Sequence, residues 1–93
     1  MDKIVVLFTM KGCPHCSELK SMLIENELDF VERDIHEHHD EYEIFTQVTD
    51  SEYVPAFMII NNDEQNPSSK LFAPSRDFNT LQEGVDIIKK EII

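Results

Sequence analysis

The stretch Lys3-Ile4-Val5-Val6-Leu7-Phe8-Thr9-Met10-Lys11-Gly12-Cys13-Pro14-His15-Cys16 decides how this chain folds. Between residues 3 and 9 it is apolar and β-branched with almost no polar alternation. That is the pattern of a strand buried on both faces in the middle of a sheet. Met10-Lys11-Gly12 then breaks it. Pro14 suits the first turn of a helix, because its missing N–H would be unpaired there anyway. Leu19, Met22 and Leu23 follow at three- and four-residue spacing as a stripe to be buried, and Asn26 is placed to end the helix.

Working outward, residues 28–35 alternate well enough for a second strand, with Phe30 and Val31 as expected core. A helix is expected over 37–48, with Tyr42, Ile44, Phe45 and Val48 on its apolar side. Asp50-Ser51-Glu52 is a polar break, and Val54-Pro55 opens a third strand over 56–60. The run 61–69 is turn chemistry, longer than a minimal hairpin. A short strand over 70–72 follows. Asn79 or Thr80 caps a last helix with Leu81, Val85, Ile88 and Ile92 on one face. The order β-α-β-α-β-β-α predicts an α/β fold. A right-handed crossover makes the first two strands parallel, and the last two form an antiparallel hairpin. The result is a mixed four-stranded sheet flanked by helices on both faces.

With 93 residues the chain is one domain, 1–93, and no repeat or low-complexity tract divides it. Hydrophobic residues at 41% and charged residues at 29% place it among ordinary globular proteins, and no apolar run reaches the length of a membrane span. The first eight residues do not read as a secretory leader: the apolar stretch is short and Asp2 occupies the basic region. A reducing, cytoplasmic location is therefore expected. Nineteen acidic against eight basic residues give a net charge of −11, which repels nucleic acid and anionic lipid, so neither is expected as a partner. The same charge favours basic patches on protein partners, or simply maintains solubility.

The chain has two cysteines, Cys13 and Cys16, too few for the scaffold of a secreted mini-protein. At a strand-to-helix junction this spacing reads as a redox pair. Cys13 lies at the helix start, where unpaired backbone N–H groups and the positive end of the helix favour thiolate over thiol. Cys16 sits one turn along, near enough to bond Cys13 but more sheltered. Cys13 is then the attacking group and Cys16 the resolving one. His15, as cation or donor, would stabilise the thiolate further, or else be a plain surface residue. The alternative is a zinc site completed by His36, His38 or His39, but a second Cys-x-x-Cys is lacking and no metal is expected.

These residues resemble the dithiol glutaredoxins, in which Cys-Pro-x-Cys opens a helix after a buried strand; the family usually carries Tyr where this chain has His15. Phe30-Val31-Glu32-Arg33-Asp34-Ile35 is similar to the family's aromatic-x-x-x-Asp-Ile/Val stretch, and Val54-Pro55-Ala56-Phe57-Met58-Ile59 to its Thr-Val-Pro-x-x-Phe-Ile run. The resemblance covers nearly the whole chain. It implies a thioredoxin-like fold, a cis Val54-Pro55 bond beside Cys13, and a thiol–disulfide oxidoreductase that acts as a monomer. It also implies glutathione as reductant or co-substrate and disulfide-bearing proteins as substrates. Lys11, Tyr53, Val54, Pro55, Arg76 and Asp77 are the implied substrate and glutathione contacts, with Pro14 and His15 tuning the pair. Val54 would offer its backbone to a substrate cysteine; an ordinary strand-start proline is the other reading of Pro55. Three positions depart from the family pattern. Lys11 lies two residues before Cys13 rather than three, Tyr53 replaces threonine, and Ala73-Pro74-Ser75-Arg76-Asp77 replaces Gly-Gly-x-Asp-Asp. Two further readings stay open: a thioredoxin-like electron donor to a partner such as ribonucleotide reductase, and a metal or iron–sulfur binding module.

Overall fold

Strand β1 (Lys3–Thr9) sends Val5 and Leu7 to one side and Val6 and Phe8 to the other, and all four are buried. The computed structural model describes residues 3–92; Met1 and Asp2, which enter the reading of the N-terminus, lie outside them. After β1 come α1 (Pro14–Glu25), β2 (Val31–Asp34), α2 (His39–Thr49), β3 (Ala56–Asn61), β4 (Ser68–Phe72) and α3 (Leu81–Ile92). The sheet order is β2-β1-β3-β4. β1 runs parallel to β2 and antiparallel to β3, and β3 and β4 form the antiparallel hairpin. This is the mixed α/β architecture expected from the element order. No helix of the described residues is long and apolar enough to cross a membrane.

The two faces of the sheet carry two separate cores. On one, Leu19 and Leu23 of α1 and Val85 and Ile88 of α3 pack on Val5, Leu7, Phe57 and Ile59. Phe57 stacks between Phe72 and Phe78, with ring centroids 5.0 and 5.3 Å apart. On the other, Tyr42 and Phe45 of α2 close on Val6, Phe8 and Ala56. Phe8 meets their rings at 5.5 and 5.0 Å, within the usual range for tilted aromatic pairs. α3 starts on Thr80, whose Oγ1 accepts the Glu83 N–H at 3.1 Å while the Glu83 carboxylate accepts the Asn79 N–H at 3.3 Å. This is a capping-box arrangement displaced by one residue.

Four expectations need correction. β2 is shorter than 28–35, because Leu28 and Phe30 reach the core from the lead-in rather than from the ladder. Val31 is 42% exposed, since β2 is an edge strand with one neighbour. On α2 the buried positions are Tyr42, Phe45 and Thr49, while Ile44 and Val48 stay exposed on the flank. Thr49 tolerates burial because its hydroxyl donates to the Phe45 carbonyl at 2.8 Å. Finally, β4 begins at Ser68, so part of the polar run 61–69 is strand.

Gly84 lies in the first turns of α3, where a Cβ would meet the Phe57 and Phe78 rings at 3.5 and 3.6 Å, ordinary contact distances. Gly84→Ala is expected to raise the unfolding free energy by about 0.5–1 kcal/mol, through helix propensity. Urea denaturation checks it, and a lower midpoint would contradict it.

Candidate active site

The chain leaves β1 into a turn closed by the Cys13 N–H on the Met10 carbonyl at 3.3 Å. Gly12, third in that turn, has φ 77°, a conformation glycine adopts without steric cost. Cys13 follows in extended conformation as N-cap of α1, with Pro14 in the first turn. Its Sγ accepts the Cys16 N–H at 3.1 Å, so the sulfur occupies the place of a capping oxygen. Cys13 and Cys16 are joined as a disulfide, with Cα atoms 5.3 Å apart. The two are unequal: Cys13 is half-buried, whereas Cys16 is 2% exposed and faces the core with Leu19 and Leu23.

Beside the pair runs an open cleft of about 600 Å³. α1 contributes His15, Glu18 and Met22 to its lining, Tyr53, Val54 and Pro55 come from the entry to β3, and Pro74 and Phe78 lie on the opposite side. The Val54–Pro55 peptide bond is cis, as the resemblance implied. Val54 lies ahead of the first ladder pair of β3, Phe8 with Ala56.

Of the residues expected at the site, His15, Tyr53, Val54 and Pro55 line the cleft, and Cys13, Pro14 and Cys16 flank His15 at the start of α1. Lys11, Arg76 and Asp77 do not line the cleft. Lys11 acts electrostatically on Asp34, whose carboxyl is held below its ordinary value chiefly by the His36 N–H at 2.8 Å. Asp77 Oδ2 accepts the Ala73 N–H at 2.8 Å and lies 3.4 Å from Arg76 Nη1. Glu18, Met22, Phe78 and Leu81 also line the cleft; the sequence pattern marks Met22 and Leu81 only as helix core, and Glu18 and Phe78 not at all. Nothing marks Glu18 in the sequence, where it is one acidic residue among 19.

A polar clamp holds α1 over the sheet. The buried Thr9 hydroxyl, at the end of β1, donates to Glu32 Oε2 at 2.7 Å, and Lys20 Nζ of α1 donates to the same oxygen at 3.0 Å. Both contacts, the Thr9 hydroxyl first, hold the Glu32 carboxyl below its ordinary value.

The sequence matches the family model described as Glutaredoxin over residues 5–64. No curated protein matches the sequence. Among solved structures, a crystal structure of a thioredoxin-like protein superposes with TM-score 0.60 at 18% identity, covering 90% of this chain and 97% of that one. A malarial protein gives 0.55 at 16% identity with all of both chains covered. A thioredoxin from Thermus thermophilus, determined in solution, gives 0.55 at 14% identity, covering 96% of this chain and 72% of that one. At such identities the likeness is one of fold.

Because the folded Glu32 carboxyl is the more acidic, its contribution to stability is complete above the unfolded value and is lost as pH falls through the lowered one. Glu32→Gln is therefore expected to destabilise the chain by under about 1 kcal/mol at neutral pH. The deficit should vanish in acid. Paired urea titrations at neutral and acid pH measure it; a deficit that persisted unchanged in acid would assign the effect to shape instead of charge.

Proposed function

This chain belongs to the glutaredoxin family, and we propose that it is a thiol–disulfide oxidoreductase reducing protein disulfides through Cys13 and Cys16. The observation that carries the reading is the unequal pair at a helix start: a half-buried sulfur that caps α1, and a buried one a single turn along. In the reduced state the Cys16 N–H and the positive end of α1 favour the thiolate on Cys13. That thiolate attacks one sulfur of a substrate disulfide. The substrate S–S bond breaks, the leaving sulfur takes up a proton, and a mixed disulfide joins Cys13 to the substrate. Cys16, giving up its proton, attacks the Cys13 sulfur, closes the internal disulfide and releases the second substrate thiol. Two electrons and two protons pass from the dithiol to the substrate.

The resemblance supports Val54 as the group that pairs with the substrate backbone next to its cysteine. Its position ahead of the β3 ladder is compatible with that role. His15, in the lining of the cleft, is the tuning residue of this reading. Glutathione as reductant of the internal disulfide is what family membership implies, in a cytoplasmic monomer. The second reading is a thioredoxin-like donor recharged by a reductase. It is favoured by a cleft lining that holds no lysine or arginine among the described residues.

Cys13→Ser should reduce disulfide turnover to the uncatalysed background, whereas Cys16→Ser should accumulate mixed disulfides visible by mass spectrometry. Equal residual turnover in the two variants would contradict the division of roles. For His15→Tyr a more reducing couple is expected, because a phenol replaces an imidazole able to carry positive charge beside the thiolate. A redox titration showing no shift, or a shift the other way, would remove His15 from the tuning role.

A further inference from the structure

Glutathione carries two carboxylates, so a site that selects it needs cations or free backbone N–H groups aimed at them. The loop that follows β4 offers none of the latter between 73 and 77. The Ala73 N–H goes to Asp77 Oδ2 at 2.8 Å, and Pro74 has no N–H. The Ser75 N–H goes to the Phe78 carbonyl at 2.8 Å, and those of Arg76 and Asp77 go to the Ala73 carbonyl at 3.3 and 2.9 Å. Arg76 pairs with Asp77 at 3.4 Å, and neither it nor Lys11 is in the cleft lining. The lining instead presents Glu18, the neutral polar residues Ser75, Asn79, Thr80 and Gln82, and an apolar wall that includes Phe78 and Leu81, on a chain of net charge −11.

We propose that this cleft takes a cysteine set in a polypeptide with basic flanks and an apolar neighbour, in preference to glutathione. The inference rests on the redox function above and concerns only its substrate. Basic side chains meet Glu18 and the acidic surface, an apolar one covers the Phe78 and Leu81 wall, and no anion has to be held in a lining that carries Glu18 and, among the described residues, no lysine or arginine.

The test uses the full chain, reduced beforehand, and four mixed disulfides with the same neutral leaving group, 2-thiopyridine. Three are cysteine peptides with one leucine and flanking Lys, Ser or Glu; the fourth is the glutathione conjugate. Cys13 attacks the peptide or glutathione sulfur and expels thiopyridone, and Cys16 then releases the thiol, so no other reductant enters. Stopped-flow absorbance reads the rate. At low ionic strength, with screening over about 30 Å, the Lys peptide should react at least about tenfold faster than the Glu peptide and the glutathione conjugate. The gap should narrow, with the Lys peptide still ahead of the conjugate, when salt screens charges beyond about 3 Å. The exposed-site variant Glu18→Lys should raise the glutathione rate relative to the Lys peptide. Equal rates for all four, or a glutathione conjugate as fast as the Lys peptide, would overturn the proposal while leaving the redox function standing. Reaction with none of the four would overturn both.

Discussion

A strand whose two faces are both apolar has to be covered twice. β1 is such a strand, and the remaining architecture answers to it: α1 and α3 close over Val5 and Leu7, α2 closes over Val6 and Phe8, and β2 and β3 occupy its two edges. Central placement also determines where the chemistry sits. The chain leaves the buried centre of the sheet at Thr9 and has only the short turn through Gly12 in which to start α1, so Cys13 emerges at the sheet's end with the helix amides behind it. The clamp from Thr9 to Glu32 to Lys20 ties β1, β2 and α1 together.

How much of this was readable in advance depended on whether the signal was local. β1 is an unbroken apolar run, and the cysteine pair with Pro14 is a local motif at a fixed distance from it, so both were legible. Alternation in 28–35 and the apolar residues of 37–48 carry no information about cover. An edge strand leaves Val31 partly bare, and α2 turns Thr49 inward in place of Val48 because the threonine hydroxyl can satisfy itself on its own backbone. Family likeness singled out Tyr53, Val54 and Pro55, and all three line the cleft. Arg76 and Asp77 were legible only as residue types. Their mutual pairing depends on how the loop after β4 closes on itself, and no periodic pattern records that.

That loop also sets what lies beside the cleft on the side away from α1. Glycines would allow close approach of a ligand to bare backbone. Here Ala73 is buried, Pro74 puts a ring into the cleft wall, and Phe78 is stacked into the core through Phe57. The opposite wall is α1 itself, so the helix that Cys13 caps also forms one side of the cleft.

The sulfur cap on α1 has a thermodynamic side. Because Cys13 Sγ accepts the Cys16 N–H, the atom that changes oxidation state is also a structural part of the helix terminus. Folding and oxidation then form a closed cycle, in which the two routes between unfolded dithiol and folded disulfide must sum to the same free energy. The difference in folding stability between the two redox states equals the amount by which the folded couple departs from the unfolded one, and any difference in the strength of that cap enters both equally. The change in the pair's redox free energy on folding and the change in the domain's stability on oxidation are thus two readings of one quantity.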